Sequence, residues 1–273
     1  MGTTAATVAM PNRHSDRLFV LFTGNAEQLM IDPLRFFQLT AIAEHNILLC
    51  RDPYRAAYRR GISDNDSGLD GIVACVKCEI ETRFPHVTRL FCVGTSSGGL
   101  PAIYCGHSLD AEAVFCFGAR IARNGAVAAR DAVYTSVMRE LLGRDVSAAA
   151  GGTTLTLREQ YIVQRGLQRD EIRRRLWEVA ENPANILDYD MLCTLVRITE
   201  DRNGRTPLYL YYSPANAADC AVAEAFRHAA GVVLHALTTA TDPVTMASSE
   251  ASHFVVNILE QEGRLPDVFR DYV

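Results

Sequence analysis

The stretch best equipped for chemistry is Gly94-Thr95-Ser96-Ser97-Gly98-Gly99, which follows the apolar run Arg89–Val93 and leads into the helical-looking Leu100-Pro101-Ala102-Ile103-Tyr104. GxSxG between a strand and a helix marks a sharp turn that lifts the central serine above the end of a sheet. Such a turn brings strand and helix so close that no side chain fits two residues to either side of the serine, hence the glycines at 94 and 98. Centring the motif on Ser97 would put Thr95 where the first glycine belongs, so Ser96 is the nucleophile candidate. The backbone amide of Ser97 then points at the space where an oxyanion would form. The competing reading is a glycine-rich turn that only packs a helix on a sheet. A phosphate cradle fits less well, because GTSSGG lacks the lysine of GxxxxGK[ST] and is not GxGxxG.

A serine hydroxyl is a weak nucleophile and needs a base within hydrogen-bond reach, itself oriented by an acid. Downstream of Ser96, the apolar run Leu208–Tyr212 is followed by Ser213-Pro214-Ala215-Asn216-Ala217-Ala218-Asp219, a loop that ends in an acid where a helix starts. After the run Gly231–Leu237 a second loop passes through Asp242-Pro243 to Ser252-His253-Phe254. Asp219 and His253 are therefore the candidate acid and base. Asp242 competes for the acid role, and an N-cap would equally account for an aspartate at the start of a helix. Of the other histidines, His14 lies in the N-terminal tail, His45 and His86 precede strands, His235 lies within one, and His107 and His228 sit in helical context.

These residues must be positioned by a sheet. Strands are expected at Leu18–Thr23, Asn46–Cys50, Arg89–Val93, Ala113–Phe117, Leu208–Tyr212 and Gly231–Leu237. Between the second and third, Leu69, Ile72, Val73, Val76 and Ile80 recur at helical spacing and form one apolar face, which Pro85 ends. Near-continuous apolar runs imply strands buried on both faces, and crossover helices imply parallel neighbours. The fold class is α/β, a mostly parallel sheet with helices on both sides. The stretch from about 119 to 205 is too long for a connection and rich in helix formers, as in LREQYIVQRGLQRDEIRRRLWEVAE, and reads as a helical cap insertion. Residues 1–16 read as a disordered tail, and 17–273 as one domain carrying the insertion.

Composition narrows the function classes. The 273 residues are 48% hydrophobic and 22% charged, with a formal charge of −5, so no global basic field attracts nucleic acid or an anionic membrane. The start lacks the charged-then-apolar order of a secretory signal, and no run is long enough to span a bilayer, from which a cytoplasmic location is expected. The eight cysteines lie mostly in apolar runs and read as buried free thiols. Cys75 and Cys78 form a lone CxxC in the middle of a helix, with no second pair and no histidine at zinc-finger spacing, so neither a structural metal nor a cofactor is expected. Arg51 and Asp52 follow the second strand, at the edge where open α/β sheets bind ligands, and are candidate substrate contacts, a structural ion pair being the alternative. The arginines of the insertion (Arg158, Arg165, Arg169, Arg173, Arg174, Arg175) could meet an anionic substrate or a phosphopantetheine carrier, but Glu159, Glu171 and Glu178 interleave with them as on a solvated helix face.

With GTSSG after the third strand and the order Ser96, Asp219, His253, the chain resembles the α/β-hydrolase superfamily from about residue 17 to its end, with a shortened sheet and no HGGG-type loop. The resemblance implies a second oxyanion-hole amide at Gly24 or Asn25, in Phe22-Thr23-Gly24-Asn25. More narrowly, Arg51-Asp52-Pro53 with Tyr58 and Gly61 looks like a bacterial branch of the superfamily, which adds Tyr58 to the substrate-contact candidates. The implied activity is acyl transfer through an acyl-enzyme on a small-molecule or carrier-bound ester or thioester. Whether water or another nucleophile resolves that intermediate separates a hydrolase from an acyltransferase. A cyclase step on the same residues, or a non-catalytic binding protein on the same fold, are the remaining alternatives.

Overall fold

The computed structural model describes residues 6–24, 27–63, 68–123, 125–143, 162, 171–172, 174, 178, 182–201, 204–238 and 255–273. Among the described residues seven strands form one sheet: β1 (Thr7–Met10), β2 (Arg17–Phe22), β3 (Asn46–Cys50), β4 (Arg89–Thr95), β5 (Ala113–Phe117), β6 (Leu208–Tyr212) and β7 (Val232–Ala236), in the order β1-β3-β2-β4-β5-β6-β7. All pairings are parallel except β1 with β3. The six expected strands are present within a residue or two of their expected ends. The tail expectation is corrected for residues 6–16: Thr7–Met10 pairs antiparallel along β3, Thr7 opposite Cys50, and the Asn46 side chain binds the Asn12 amide at 2.7 Å. A four-residue edge strand buries too little apolar surface to leave a pattern in the sequence.

Side chains alternate along each strand, and the two sheet faces are built differently. On one face Leu18, Val20, Phe22, Leu48, Cys50, Cys92, Val114 and Cys116 meet helices α2 (Gly68–Arg83), α3 (Gly99–Ser108), α6 (Tyr189–Asp201) and α7 (Ala217–Phe226). On the other, Phe19, Phe91, Phe115, Phe117 and Tyr211 meet α1 (Pro33–Thr40), α8 (Val255–Gln261) and the turn Leu265–Phe269. The aromatic face stacks across strands, with Phe19 on Phe91 at 4.8 Å, Phe117 on Tyr211 at 4.9 Å and Tyr211 on His235 at 4.5 Å. The cysteine face uses small residues so that α3 can lie close: a Cβ on Gly106 would fall 2.2 Å from Val114 Cγ2 and 3.5 Å from Cys92 Cβ. Cys50, Cys92, Cys105 and Cys116 are buried free thiols, whereas Cys78 and Cys193 are exposed.

Helix α2 carries the expected face, Ile72 and Val76 fully buried and Leu69, Val73 and Ile80 packed beside them, and it stops at Arg83, two residues before Pro85. The described parts of the insertion between β5 and β6 are helical: α4 (Ala126–Leu142), the short α5 (Pro183–Ile186) and α6. Its two stems are tied together where they leave the sheet, by an antiparallel bridge of Ala122 with Leu187 and by the amides of Arg123 and Asp188 donating to Ile186 and Ile121. Arg59 closes this junction, donating to the Ala122 carbonyl at 2.9 Å and to the Asp188 carboxylate at 2.8 Å. Most of the arginine-rich stretch lies outside the described residues. Of its arginines, Arg174 is described and exposed.

Candidate active site

Because β2, β4, β5, β6 and β7 run parallel, the loops that leave their carboxyl ends gather along one edge of the sheet. Strand β4 ends in extended Thr95 (φ −119°, ψ 134°), and the chain then reverses at Ser96 with φ +51° before a single 3-10 turn enters α3. A left-handed serine is strained, and such strain persists only where the surrounding packing fixes it. Here the packing is visible at the glycines. A Cβ on Gly94 would lie 2.3 Å from the Gly98 carbonyl oxygen, one on Gly98 would lie 2.2 Å from that of Phe22, and one on Gly99 would lie 2.6 Å from Ala119 Cβ. Every residue from Phe91 to Leu100 is buried except Ser96, which is partly exposed. The turn therefore presents one hydroxyl at the edge of the sheet and hides everything around it.

Gly24, after β2, sits against this turn: a Cβ there would be 3.3 Å from Ser96 Cβ. Its N–H donates to the Gln28 carbonyl at 2.9 Å, and that carbonyl also accepts from the Thr95 hydroxyl at 3.2 Å. The Gly24 amide is thus engaged in its own loop, which leaves Asn25, outside the described residues, as the candidate for the second oxyanion donor. The Ser97 amide lies in the same 3-10 turn as Ser96, Ser96–Gly98.

Asp219 lies at the start of α7 and is 2% exposed. The N-cap is supplied by Asn216, whose side chain accepts from the amides of Ala218 and Asp219, so the aspartate carboxylate is not the cap. One of its oxygens, Oδ2, accepts from the Ser213 amide at 3.2 Å. Burial pushes its pKa up to about 6, against the opposing pull of the Arg120 guanidinium and the Ser213 amide. The same oxygen is 3.4 Å from where a Cβ on Gly118 would be, and Val255 Cγ2 is 3.6 Å from that point. The start of α8 is therefore close to the Asp219 carboxylate. His253 precedes Val255 by two residues and lies outside the described residues, as does Asp242.

Arg51, Asp52 and Tyr58 occupy the loop after β3. Asp52 is 2% exposed and accepts from the amides of Tyr54 at 3.1 Å and Tyr58 at 2.9 Å. Burial raises its pKa, and the backbone N–H groups of Tyr58, Tyr54, Ala56 and Arg55 oppose the shift. Arg51 pairs with Glu27 at 3.8 Å, so the ion-pair alternative is corrected: Arg51 reaches across to the loop after β2, and Asp52 folds its own loop. Tyr58 is fully buried with φ +62°, and its hydroxyl lies 3.0 Å from the carbonyls of both Thr23 and Cys50. This places Tyr58 beneath the strand ends, where it ties β2 to β3, rather than at their surface. Among the described residues, no group of three or more His, Cys, Asp or Glu side chains is placed to hold a metal ion, and no helix is long and apolar enough to cross a membrane.

Two groups that no sequence motif marks belong to this edge. The Arg120 amide donates to the Ser96 carbonyl at 2.8 Å, and the Gly118 amide donates to the Tyr211 carbonyl at 2.8 Å. The one sequence signal for either was position, directly after an apolar strand that precedes the insertion.

No family model matches the chain, and no curated protein does. Solved structures match along nearly its whole length. One is from work on carboxylesterases of the thaumarchaeon Nitrososphaera gargenis, with a TM-score of 0.53 at 11% identity over 97% of this chain and 92% of that one. A lipase-esterase related protein of Clostridium acetobutylicum gives 0.49 at 11% identity over 98% of each chain, and a putative lipase of Acinetobacter baumannii gives 0.49 at 10% over 97% and 86%. The chain has the α/β-hydrolase fold. The match to the carboxylesterase structure shows the fold and leaves the chemistry to the residues themselves.

Proposed function

We propose that the protein is a serine hydrolase that cleaves an acyl ester or thioester through an acyl-enzyme. The reading is carried by Ser96, a strained and partly exposed hydroxyl in an otherwise buried turn, on the same sheet edge as the buried carboxylate of Asp219. Nothing in the packing of a helix on a sheet requires a left-handed serine, since a glycine would make the turn without strain.

In this mechanism Ser96 Oγ attacks the acyl carbonyl carbon as His253 takes its proton. The tetrahedral oxyanion accepts hydrogen bonds from the Ser97 amide and from the amide of Asn25, each worth on the order of 3 kcal/mol in the transition state. Collapse breaks the bond to the alcohol or thiol, which leaves with the proton from His253. Water then attacks the acyl-serine, giving up a proton to His253, and the second collapse releases the acid and returns that proton to Ser96. Asp219 orients the imidazole and stabilises its charged form.

Turnover of p-nitrophenyl esters and short acyl thioesters tests this directly. Wild type should hydrolyse at least one of them, and Ser96→Ala should lose on the order of 10⁴-fold or more in kcat. Turnover that survives in Ser96→Ala would place the chemistry elsewhere. Acyl transfer to an added alcohol or amine in preference to water would replace the hydrolase reading with the acyltransferase one.

A further inference from the structure

We propose that Arg120 is a positioning residue of this site: its backbone amide fixes the turn that carries Ser96, and its guanidinium is the counter-charge of the buried Asp219 carboxylate, which lies against the same segment. The inference rests on the serine-hydrolase reading and adds to it a residue outside the serine–acid–histidine set.

The argument is geometric first. Strand β5 ends at Phe117, and the next residues pass between the two halves of the site. Gly118 has φ +52°, and a Cβ there would stand 3.4 Å from Asp219 Oδ2, so the chain runs directly past the carboxylate. Ala119 packs against Gly99, the first residue of α3. The Arg120 amide then donates to the Ser96 carbonyl at 2.8 Å. Three consecutive residues thus touch the acid, the helix and the nucleophile turn in order, and the third carries the cation.

A cation in this segment bears on the acid. Among the described residues one backbone N–H, that of Ser213, donates to this carboxylate, which is 2% exposed and so lacks most of the solvation that an ionised group needs. The Ser213 amide and the Arg120 guanidinium favour its charged form, and the Cys220 thiol lies beside it on α7. With burial raising the pKa, Arg120 is the formal positive charge that pulls it back down. If Asp219 carried a proton it would lose the negative charge that stabilises the imidazolium formed when the histidine acts as base.

The test uses Arg120→Gln and Arg120→Lys, which both keep the backbone amide that Ser96 uses. For wild type and each variant, the rate of fluorophosphonate labelling at Ser96 and the midpoint of thermal unfolding are followed from pH 4.5 to 9. Arg120→Gln should move the acid limb of the labelling profile up by on the order of one pH unit, with Arg120→Lys intermediate. Its unfolding midpoint should match wild type near pH 4.5 and fall progressively below it above pH 6, where the carboxylate must ionise in the fold. In an Asp219→Asn background that pH-dependent loss should vanish. A labelling rate lowered equally at every pH, or a stability loss independent of pH and of Asp219, would overturn the inference and leave Arg120 a packing residue. Failure of wild type to label at all would instead refute the serine-hydrolase reading. The stability arm would still decide the Arg120–Asp219 coupling.

Discussion

Replacing Asp219 by asparagine should raise the protein's stability relative to wild type progressively as the pH rises from 4.5 to 8. The side chain is 2% exposed, and its pKa is raised from 3.8 to about 6 by burial. Below 3.8 the carboxyl is protonated in both the folded and unfolded chains and carries no ionisation penalty. Between 3.8 and 6 the unfolded chain gives up its proton while the folded one keeps it, so stability falls as pH rises. Above 6 the full penalty is present, about 3 kcal/mol for a shift of about two units. About 2 kcal/mol of it develops between pH 4.5 and pH 8. Asparagine has nearly the same shape and can accept from the Ser213 amide as the carboxylate does, but it does not ionise. Its own burial cost is the same at every pH and cancels when the two conditions are compared. Urea unfolding of wild type and Asp219→Asn at pH 4.5 and pH 8 should show the variant's relative stability rising by about 2 kcal/mol. A relative stability that is constant across that range, or that falls, would refute the argument that this carboxylate is held ionised against its burial. In the same variant kcat should drop by on the order of 10⁴-fold, because an amide stabilises the wrong histidine tautomer.

Two further outcomes follow from the turn. Ser96→Gly should remove fluorophosphonate labelling yet gain up to about 1 kcal/mol, since glycine relieves the φ of +51°, read by the urea midpoint. A loss of stability would mean that the serine side chain, not the turn, is the structural element. Gly98→Ala should cost more than about 4 kcal/mol or abolish soluble expression, because its Cβ would lie 2.2 Å from the backbone oxygen of Phe22, which cannot move without breaking β2. A well-folded Gly98→Ala protein would contradict the packing described for the turn.

The parts of this molecule that were legible in sequence are those in which one physical requirement acts on consecutive residues. NILLC, AVFCF and LYLYY are strands because a doubly covered sheet wants apolar residues on both faces, and the observed limits coincide with those runs. GTSSG was legible because close strand–helix approach demands glycine at fixed offsets from the nucleophile. What escaped is non-local. TVAM became a strand because β3 offered an unpaired edge, which nothing in those four residues encodes. Tyr58 enters the substrate-contact candidates only through the resemblance carried by Arg51-Asp52-Pro53, Tyr58 and Gly61, but three left-handed residues in its loop, at 55, 57 and 58, turn it inward to the carbonyls of Thr23 and Cys50. Arg51 met Glu27 rather than Asp52, because the Asp52 carboxylate was taken by the amides of its own loop. Arg120 was invisible as one arginine among many. Its significance comes from following Gly118, which lies against the carboxylate of Asp219, about a hundred positions downstream.

The central claim is that Ser96 is activated, and intact-protein mass spectrometry after exposure to a fluorophosphonate tests it most directly. The account predicts one adduct on the wild-type chain, none on Ser96→Ala, and a strongly slowed reaction on His253→Ala. A folded wild-type protein that acquires no adduct, or an adduct that persists on Ser96→Ala, would contradict it.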